Sequence, residues 1–382
     1  MNYLLCSLIV FLCTLDGYIR LRAIFALFFV IIFLILNFKF IKNLFIVKKH
    51  LIYFSFLLFL FLFYTFLCII NPEFYLQIPF DREFFVFKIF DRLSLMFLFL
   101  LLPFIFIFNH KYLNCFRDVA YIHVFFFLMQ FILFYVFSIK IDLTSLFGVD
   151  QRTNFNVGNF DYFRASGLYV EPSNYAAYIA IMFFPYLYLK EKLSKWDYIP
   201  VFTMFLTLST VGFLIAIFYS IGFLIKNNFF RKIKGIFIFF IFLVLVFIFL
   251  SFHVYRLNEE SGTSSNLRSD LLTYVVESRS DDVVLILFGT GIYSYDNYIY
   301  QRETSSLGRD IASIQDFTMF LYNFITLGLV GVLFLIWLLY KTEGLGNKFF
   351  VIAILASKIT YLYPIFIFFI IYILYSNPEL EK

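Results

Sequence analysis

The sequence predicts an all-α integral membrane protein of about ten to twelve transmembrane helices, with one large and one medium external loop. Three observations carry this. Of 382 residues, 63% are hydrophobic, 24% aromatic and only 14% charged, whereas a soluble domain runs near 45–50% apolar and about 25% charged. The mean hydropathy is +0.90, and polar surface this scarce does not cover a water-soluble body of such size, which excludes an ordinary cytosolic enzyme. The apolar residues also come in long runs and, at roughly 20 per helical span, suffice for that number of spans.

In chain order the runs are 3–15, 23–38, 51–70, 88–108, 119–139, 174–189, 198–209, 212–225, 235–252, 317–340, 349–361 and 364–375. The first has no basic residues before it, so it reads as a retained span and not as a cleaved leader. The pair 198–225 is divided by Ser209-Thr210, and the last pair by Pro364, which disfavours a continuous helix. Each pair is two half-length helices or one bent span. The organisation that follows is N-terminal helices over 1–139, an external loop 140–173, central helices over 174–252, a large lobe 253–316 and C-terminal helices over 317–382.

Charge orients these spans. Net charge is +5, too mild to suggest a nucleic-acid partner. Segments 39–49 and 226–234 carry Lys39, Lys42, Lys48, Lys49 and Lys226, Arg231, Lys232, Lys234 without an acid. With 109–118, 190–197 and 341–348 they face the cytoplasm by the positive-inside rule, provided 198–225 crosses twice. Segments 16–22, 71–87, 140–173 and 253–316 then lie outside. The lobe 253–316 uses Arg256, Arg268, Arg279, Arg302 and Arg309, and no Lys. Within it, Leu267, Leu271, Leu272, Val275 and Val276 fall at helical spacing after Ser264-Ser265. On that helix Arg268 and Arg279 share a face about 16 Å apart. Loops this long are usually functional or disordered. Cys6, Cys13 and Cys68 lie in apolar runs and Cys115 in a short basic loop, so no disulfide framework is visible. His50, His110, His123 and His253 are scattered without metal-ligand spacing, and no metal site is expected.

Three stretches carry candidate chemistry. The first is Arg164-Ala-Ser-Gly-Leu-Tyr169-Val-Glu171-Pro-Ser-Asn174, where the medium loop enters a span. Blandly, it is a span entrance: a snorkelling Arg, a Pro at a helix start and small residues for packing. The second is Arg268-Ser-Asp270 followed by Gly289-Thr-Gly291, where glycines permit a tight turn and Arg268 and Asp270 could make ordinary surface contacts. The third is Gln315-Asp316, running into Asn323-Phe-Ile-Thr-Leu-Gly328-Leu-Val-Gly331; blandly, it caps a span. Tyr293, Tyr295, Tyr298 and Tyr300 could stack on sugars or line a half-buried strand.

In this order and on one predicted side, the three stretches resemble the O-antigen polymerase and O-antigen ligase superfamily, over roughly residues 140–340. Leu206-Thr-Leu-Ser209-Thr210-Val-Gly212 is similar to a further step of that family, with Val211 where Arg is usual. Gln315-Asp316 stands where ligases show His-Asn, which places the chain nearer the polymerases. The resemblance implies a GT-C-like fold in a bacterial inner membrane, with a site facing the periplasm. It implies transfer of a growing glycan from undecaprenyl diphosphate to the non-reducing end of a new lipid-linked repeat unit, without cofactor, nucleotide or metal. Arg164 and Arg268 would hold the diphosphate, with Arg279 assisting, and Glu171, Asp270 or Asp316 would act as base. Tyr169, Asn174, Gly289, Gly291 and Gln315 would line the substrate. A chain-length regulator and a flippase are the implied protein partners. The alternatives are a ligase acting on lipid A core and a flippase for lipid-linked oligosaccharide. Transporters keep ionisable groups at midplane and show internal repeats. Here no repeat is evident, and Lys358 is the main charged exception among the spans.

Overall fold

Among the described residues the apolar runs fold as helices, in the order and close to the bounds their hydropathy sets. The computed structural model describes residues 1–16, 21–37, 48–70, 82–107, 112–157, 160–190, 193–228, 247, 251, 273, 277, 283–293, 299–301, 311–313 and 318–375. The helices are α1 (Asn2–Cys13), α2 (Arg22–Leu36), α3 (Lys48–Ile70), α4 (Arg82–Phe106), α5 (Leu113–Phe137), α6 (Pro172–Leu189), α7 (Tyr198–Leu206), α8 (Thr210–Lys226), α9 (Val283–Phe288), α10 (Met319–Lys341), α11 (Leu345–Leu355) and α12 (Pro364–Tyr375). Among the described residues, four helical stretches are long and apolar enough to cross a membrane: His50–Ile70, Phe85–Phe106, Leu113–Phe137 and Met319–Lys341. The expected span 235–252 and most of the lobe 253–316 lie outside the described residues.

Two features depart from a purely helical expectation. A hairpin of β1 (Asn154–Val157) and β2 (Phe160–Phe163) pairs Asn154 with Phe163, and a second, of β3 (Ile299–Gln301) and β4 (Ile311–Ser313), pairs Ile299 with Ser313. Both lie in the segments read as external, where the backbone has polar groups to satisfy and no helical run to do it.

The chain forms two compact units, Met1–Cys115 with Thr263–Leu338 and Thr360–Lys382, and Phe116–Gly262 with Leu339–Ile359. In the first unit α1 and α2 form an antiparallel pair, its ends joined by Asn2 Nδ2 donating to Asn37 Oδ1 at 2.6 Å. Helix α4 is the hub, packed on α2, α3 and α12. Buried His50 ties α3 to two neighbours, meeting the Tyr375 hydroxyl with Nδ1 and the Leu100 carbonyl with Nε2 at 2.9 Å. The spans are less free of charge than the sequence reading holds: Lys88, Asp91 and Arg92 stand inside α4, with Lys88 and Arg92 buried. They are one helical turn apart and so share a face. Arg92 pairs with Asp91 and donates from Nε to the Ile292 carbonyl at 3.3 Å.

The same unit contains a backbone interlock. Gly328 interrupts α10 at φ 63° and ψ −153°, conformations open to glycine and little else. A broken helix frees carbonyls that lipid cannot satisfy. Here Thr290 N donates to Ile325 O at 3.1 Å and Gly291 N to Thr326 O at 2.7 Å. A Cβ on Gly289, itself at φ 68°, would stand 2.4 Å from the Thr326 carbonyl carbon, and one on Gly328 would stand 2.4 Å from that of Leu287. Tyr64 closes the joint, its hydroxyl donating to Phe288 O at 2.5 Å. Tyr293 is buried beside it, 2.7 Å from the Thr65 hydroxyl, which makes it core and not a sugar platform.

In the second unit, contacts along the helices fix their directions. Tyr219 of α8 donates to Ala180 O of α6 at 2.5 Å. Lys226, at the end of α8, reaches the last carbonyls of α6, Leu187 O and, at 3.1 Å, Tyr188 O. Gly212 at the start of α8 faces Ala176 at the start of α6. The two helices are therefore parallel, and α7 returns the chain between them. The pair 198–225 is thus two helices, broken at Leu208 with φ 50°; Ser209 caps α8 by accepting from Gly212 N at 3.4 Å. Nine residues long, α7 extends about 14 Å, less than half a bilayer core. Helix α11 runs antiparallel to α8: Asn347 meets Lys226 at 3.1 Å, and the Phe350 ring lies 4.8 Å from that of Tyr219. Gly222 and Gly346 face each other, so that a Cβ on either would come within 2.9 Å of the other's carbonyl oxygen. Apolar side chains gain little by leaving lipid for each other, so such close backbone contact is a main source of helix affinity. One end of this unit gathers Lys190, Lys226 and Lys348; the other holds Glu171 and Lys358. The division at Pro364 is likewise complete, with α11 and α12 as separate helices.

Substituting Gly289 tests the interlock. Gly148 also has positive φ, 75°, but nothing lies within 4 Å of its Cβ position. Gly148→Ala thus reports backbone strain alone, about 1 kcal/mol. Gly289→Ala adds overpacking of about 1–3 kcal/mol. Thermal unfolding of the detergent-purified chain should show the larger loss for Gly289→Ala. Equal losses would mean that the joint contributes nothing.

Candidate functional site

The medium loop is built on carboxylate and amide side chains that replace absent backbone partners. Asp142 Oδ1 accepts from Thr144 N at 2.8 Å, Thr144 Oγ1 at 3.0 Å and Ser145 N at 3.0 Å, and Oδ2 accepts from Gln151 N at 2.8 Å. Burial alone would raise its pKa, but these hydrogen bonds together hold the carboxyl below its usual range. From within α5, buried Gln130 accepts from Ser166 N at 2.8 Å and Gly167 N at 2.9 Å, and donates to Ile141 O at 2.8 Å and Gln151 Oε1 at 2.6 Å. Gln151 in turn donates to Gly167 O at 2.6 Å and Tyr169 O at 3.1 Å. Phe163 stacks on Phe134 at 4.4 Å and fastens the β1–β2 hairpin to the end of α5.

This scaffold places the charged groups. Arg152 and Arg164 flank the hairpin on segments paired through their backbones, with Arg152 N donating to Val170 O at 2.8 Å and Arg164 N to Thr153 O at 2.8 Å. Glu171 is the N-cap residue of α6 and Pro172 its first helical residue, a favoured order at a helix start, where a negative charge is also favourable. Both of its oxygens are engaged. Oε1 accepts from Arg152 Nη1 at 3.0 Å; Oε2 lies 3.6 Å from Lys358 Nζ and accepts from Ser173 Oγ at 3.2 Å. The side chain of Arg152 is 75% exposed, that of Glu171 23% and that of Lys358 10%, so the arginine is the member that a ligand meets first. Burial would raise the Glu171 pKa, but Lys358 and Arg152 outweigh it and hold the carboxyl below its ordinary range. A carboxylate saturated in this way is a weak base and a good anchor for cations.

The other expected site residues are distributed as follows. Arg164 is half-buried in the same loop, and Asn174 is half-buried in the first turn of α6. Tyr169 is enclosed, stacked on Tyr178 at 4.7 Å and 5.2 Å from the His123 ring; with its faces taken, it packs within the second unit, where the resemblance implies that it lines the substrate. Gly289 and Gly291 form the turn that docks into the break of α10, again packing. Arg268, Asp270, Arg279, Gln315 and Asp316 lie outside the described residues. Among the described residues no group of three or more His, Cys, Asp or Glu is placed to hold a metal. Sequence reasoning passed over Arg152, the partner of Glu171, although it shares a loop with Arg164. It noted Lys358 only as a lone charge in an apolar segment, which was the available signal. It also passed over Gln130, whose role depends on chain folded back from far along the sequence.

Compared with known proteins, the chain matches no family model, no curated protein and no solved structure.

Glu171 gives a pH test. Its ordinary value is near 4.5 and its folded value is lower, so the ionised form is the one folding favours. That stabilisation is complete above the ordinary value and is lost as pH falls through the folded one. As pH falls below about 5, the wild-type chain in detergent should therefore lose thermal stability more steeply than Glu171→Gln. Parallel profiles would show that the two cations contribute no net stabilisation to the carboxylate.

Proposed function

We propose that the chain is a polymerase of lipid-linked oligosaccharide repeat units, a membrane glycosyltransferase of the bacterial inner membrane acting at its outer face. The observation that carries this reading is the exposed Arg152, held by Glu171 beside Lys358, at the end of a highly apolar unit opposite the end that gathers Lys190, Lys226 and Lys348. It lies in the loop that resembles the O-antigen polymerase and ligase superfamily.

The reaction asks little of the protein beyond charge and position. An acceptor hydroxyl of the new repeat unit attacks the anomeric carbon of the growing glycan. The bond from that carbon to the lipid diphosphate breaks, the diphosphate leaves with the electron pair, and the hydroxyl proton passes to a base. Free energy is already stored in the sugar–diphosphate bond. Fixed guanidinium groups stabilise the departing charge, since Arg matches phosphate geometry with paired N–H donors. Arg164 and Arg268 are assigned to the diphosphate and Arg279 to its support. Glu171 is already saturated by cations, so the base falls to Asp270 or Asp316. A chain-length regulator and a flippase are its expected partners.

The surface glycan of the source cell tests the function. A strain lacking the chain should display single repeat units in place of a length ladder. Arg164→Ala and Arg268→Ala should give the same short glycan, with the protein present at normal level. A normal ladder in the deletion strain would exclude a polymerase. Complete loss of surface repeats, with lipid-linked units retained inside, would assign the chain to transport instead.

A further inference from the structure

We infer that the medium loop is re-entrant. It dips below the lipid surface beside α5 and lays Ile139, Leu146 and Phe147 against the acyl chains of the leaflet farther from Arg117. The inference needs the membrane but not the polymerase.

Two helices set the depth. On α5 the part-exposed ion pair of Arg117 with Asp118 marks one lipid boundary, since charge is costly in hydrocarbon. From Val119 to Phe137 the helix carries no Asp, Glu, Lys or Arg and runs about 27 Å. That nearly fills a hydrocarbon core of about 30 Å, so Phe137 stands at the opposite boundary. The chain then reverses. Ser138, at φ 58°, donates from N to Phe134 O at 2.8 Å, and Ile139 N donates to Leu133 O at 2.9 Å, the paired bonds of a Schellman end. Ile141 O returns to the Gln130 side chain, as do Ser166 N and Gly167 N, and Gln130 lies about 10 Å below Phe137. Helix α6 gives a similar depth. Tyr186 is level with Arg117, whose guanidinium carbon lies 5.6 Å from its ring, and Pro172 is about 21 Å further along. Glu171, the cap of α6, therefore sits about 9 Å beneath the boundary that α5 reaches. Lifting the loop clear of lipid would draw Arg117 and Asp118 into hydrocarbon.

Irregular backbone is tolerated at this depth only where protein or water satisfies it. Gln130, Gln151 and Asp142 supply that satisfaction from within the loop and from α5, which explains why side chains do here what solvent does for a loop in water. The outward side chains match lipid. Phe125, Ile132 and Val136 form an exposed apolar stripe along α5, at helical spacing. Ile139, Leu146 and Phe147 carry the same apolar exposure into the loop, and Leu146 is 80% exposed. The charged residues have other outlets. Lys140, whose Nζ lies 5.9 Å from the Phe134 ring, reaches the boundary on its flexible stem. Asp150 and Arg152 are exposed in the same loop, and hydrocarbon does not accept them. They face water that enters below the lipid surface, so the loop divides lipid on its apolar edge from water on its charged edge.

The test uses the full chain in lipid nanodiscs, with a nitroxide label on one introduced cysteine at a time: Val136→Cys, Leu146→Cys, Phe147→Cys and Asp150→Cys. Power saturation compares collision with oxygen, which partitions into lipid, and with a nickel chelate, which stays in water. Labels at 146 and 147 should meet oxygen more than the chelate, as at 136, at a depth about 5–10 Å into the headgroup–acyl boundary. The label at 150 should show the reverse preference. A chelate preference at 146 and 147 would place the loop in water and overturn the inference. Shielding of both positions from both reagents would place them against protein and overturn it as well. Leu146 and Phe147 are both exposed, so if one variant fails to fold the other still decides.

Discussion

A chain in which most side chains are hydrocarbon must supply from within itself every hydrogen bond that water would otherwise make. That constraint organises both units. Where α10 breaks at Gly328, backbone N–H groups of Thr290 and Gly291 take up the freed carbonyls. Where α6 ends, the Lys226 ammonium lies on its last carbonyls and also meets Asn347, serving as cap and helix-dipole partner together. Where the medium loop turns without regular structure, Gln130 and Gln151 replace a ladder with two amides. Each solution brings together residues far apart in sequence, so the polar contacts define the fold as much as apolar packing does.

The same constraint makes charge informative. A lysine such as Lys358, in an apolar segment, needs an anionic partner, and Glu171 lies 3.6 Å from its ammonium. The carboxylate also grips Arg152, so the chain presents a guanidinium outward without leaving its position to side-chain entropy. An exposed guanidinium whose position is already fixed suits an anionic lipid headgroup, and this is the basis of the functional proposal.

Hydropathy alone made the helices legible. Runs such as 174–189 and 364–375 reappear as α6 and α12 because apolar length is a property of contiguous sequence. The breaks at Ser209 and Pro364 were legible as breaks, since Ser is a capping residue and Pro starts helices. The hairpin at 154–163 was not, because strands of four residues carry weak local signals and depend on what they dock against. The site was legible in part: Glu171 and Arg164 stood out at a span entrance, but the partnership with Arg152 and Lys358 joins residues 19 and 187 positions away. Tyr169 looked like a substrate-lining residue because sequence shows an aromatic ring and not the rings already stacked on it. Gly289 and Gly291 looked like a ligand turn because a tight turn against backbone and one against a ligand demand the same residue.

On the proposed function, the end of the second unit that holds Arg152, Glu171 and Lys358 faces outward and the end that gathers Lys190, Lys226 and Lys348 faces the cytoplasm. The measurement that tests it most directly is labelling by a membrane-impermeant thiol reagent in sealed, right-side-out vesicles. Arg152→Cys and Asn347→Cys are compared one at a time; Cys6, Cys13, Cys68 and Cys115 are buried and give little background. The account expects position 152 to react from outside and position 347 only after the membrane is opened. Labelling of both from the same side, or the reverse order, would contradict it.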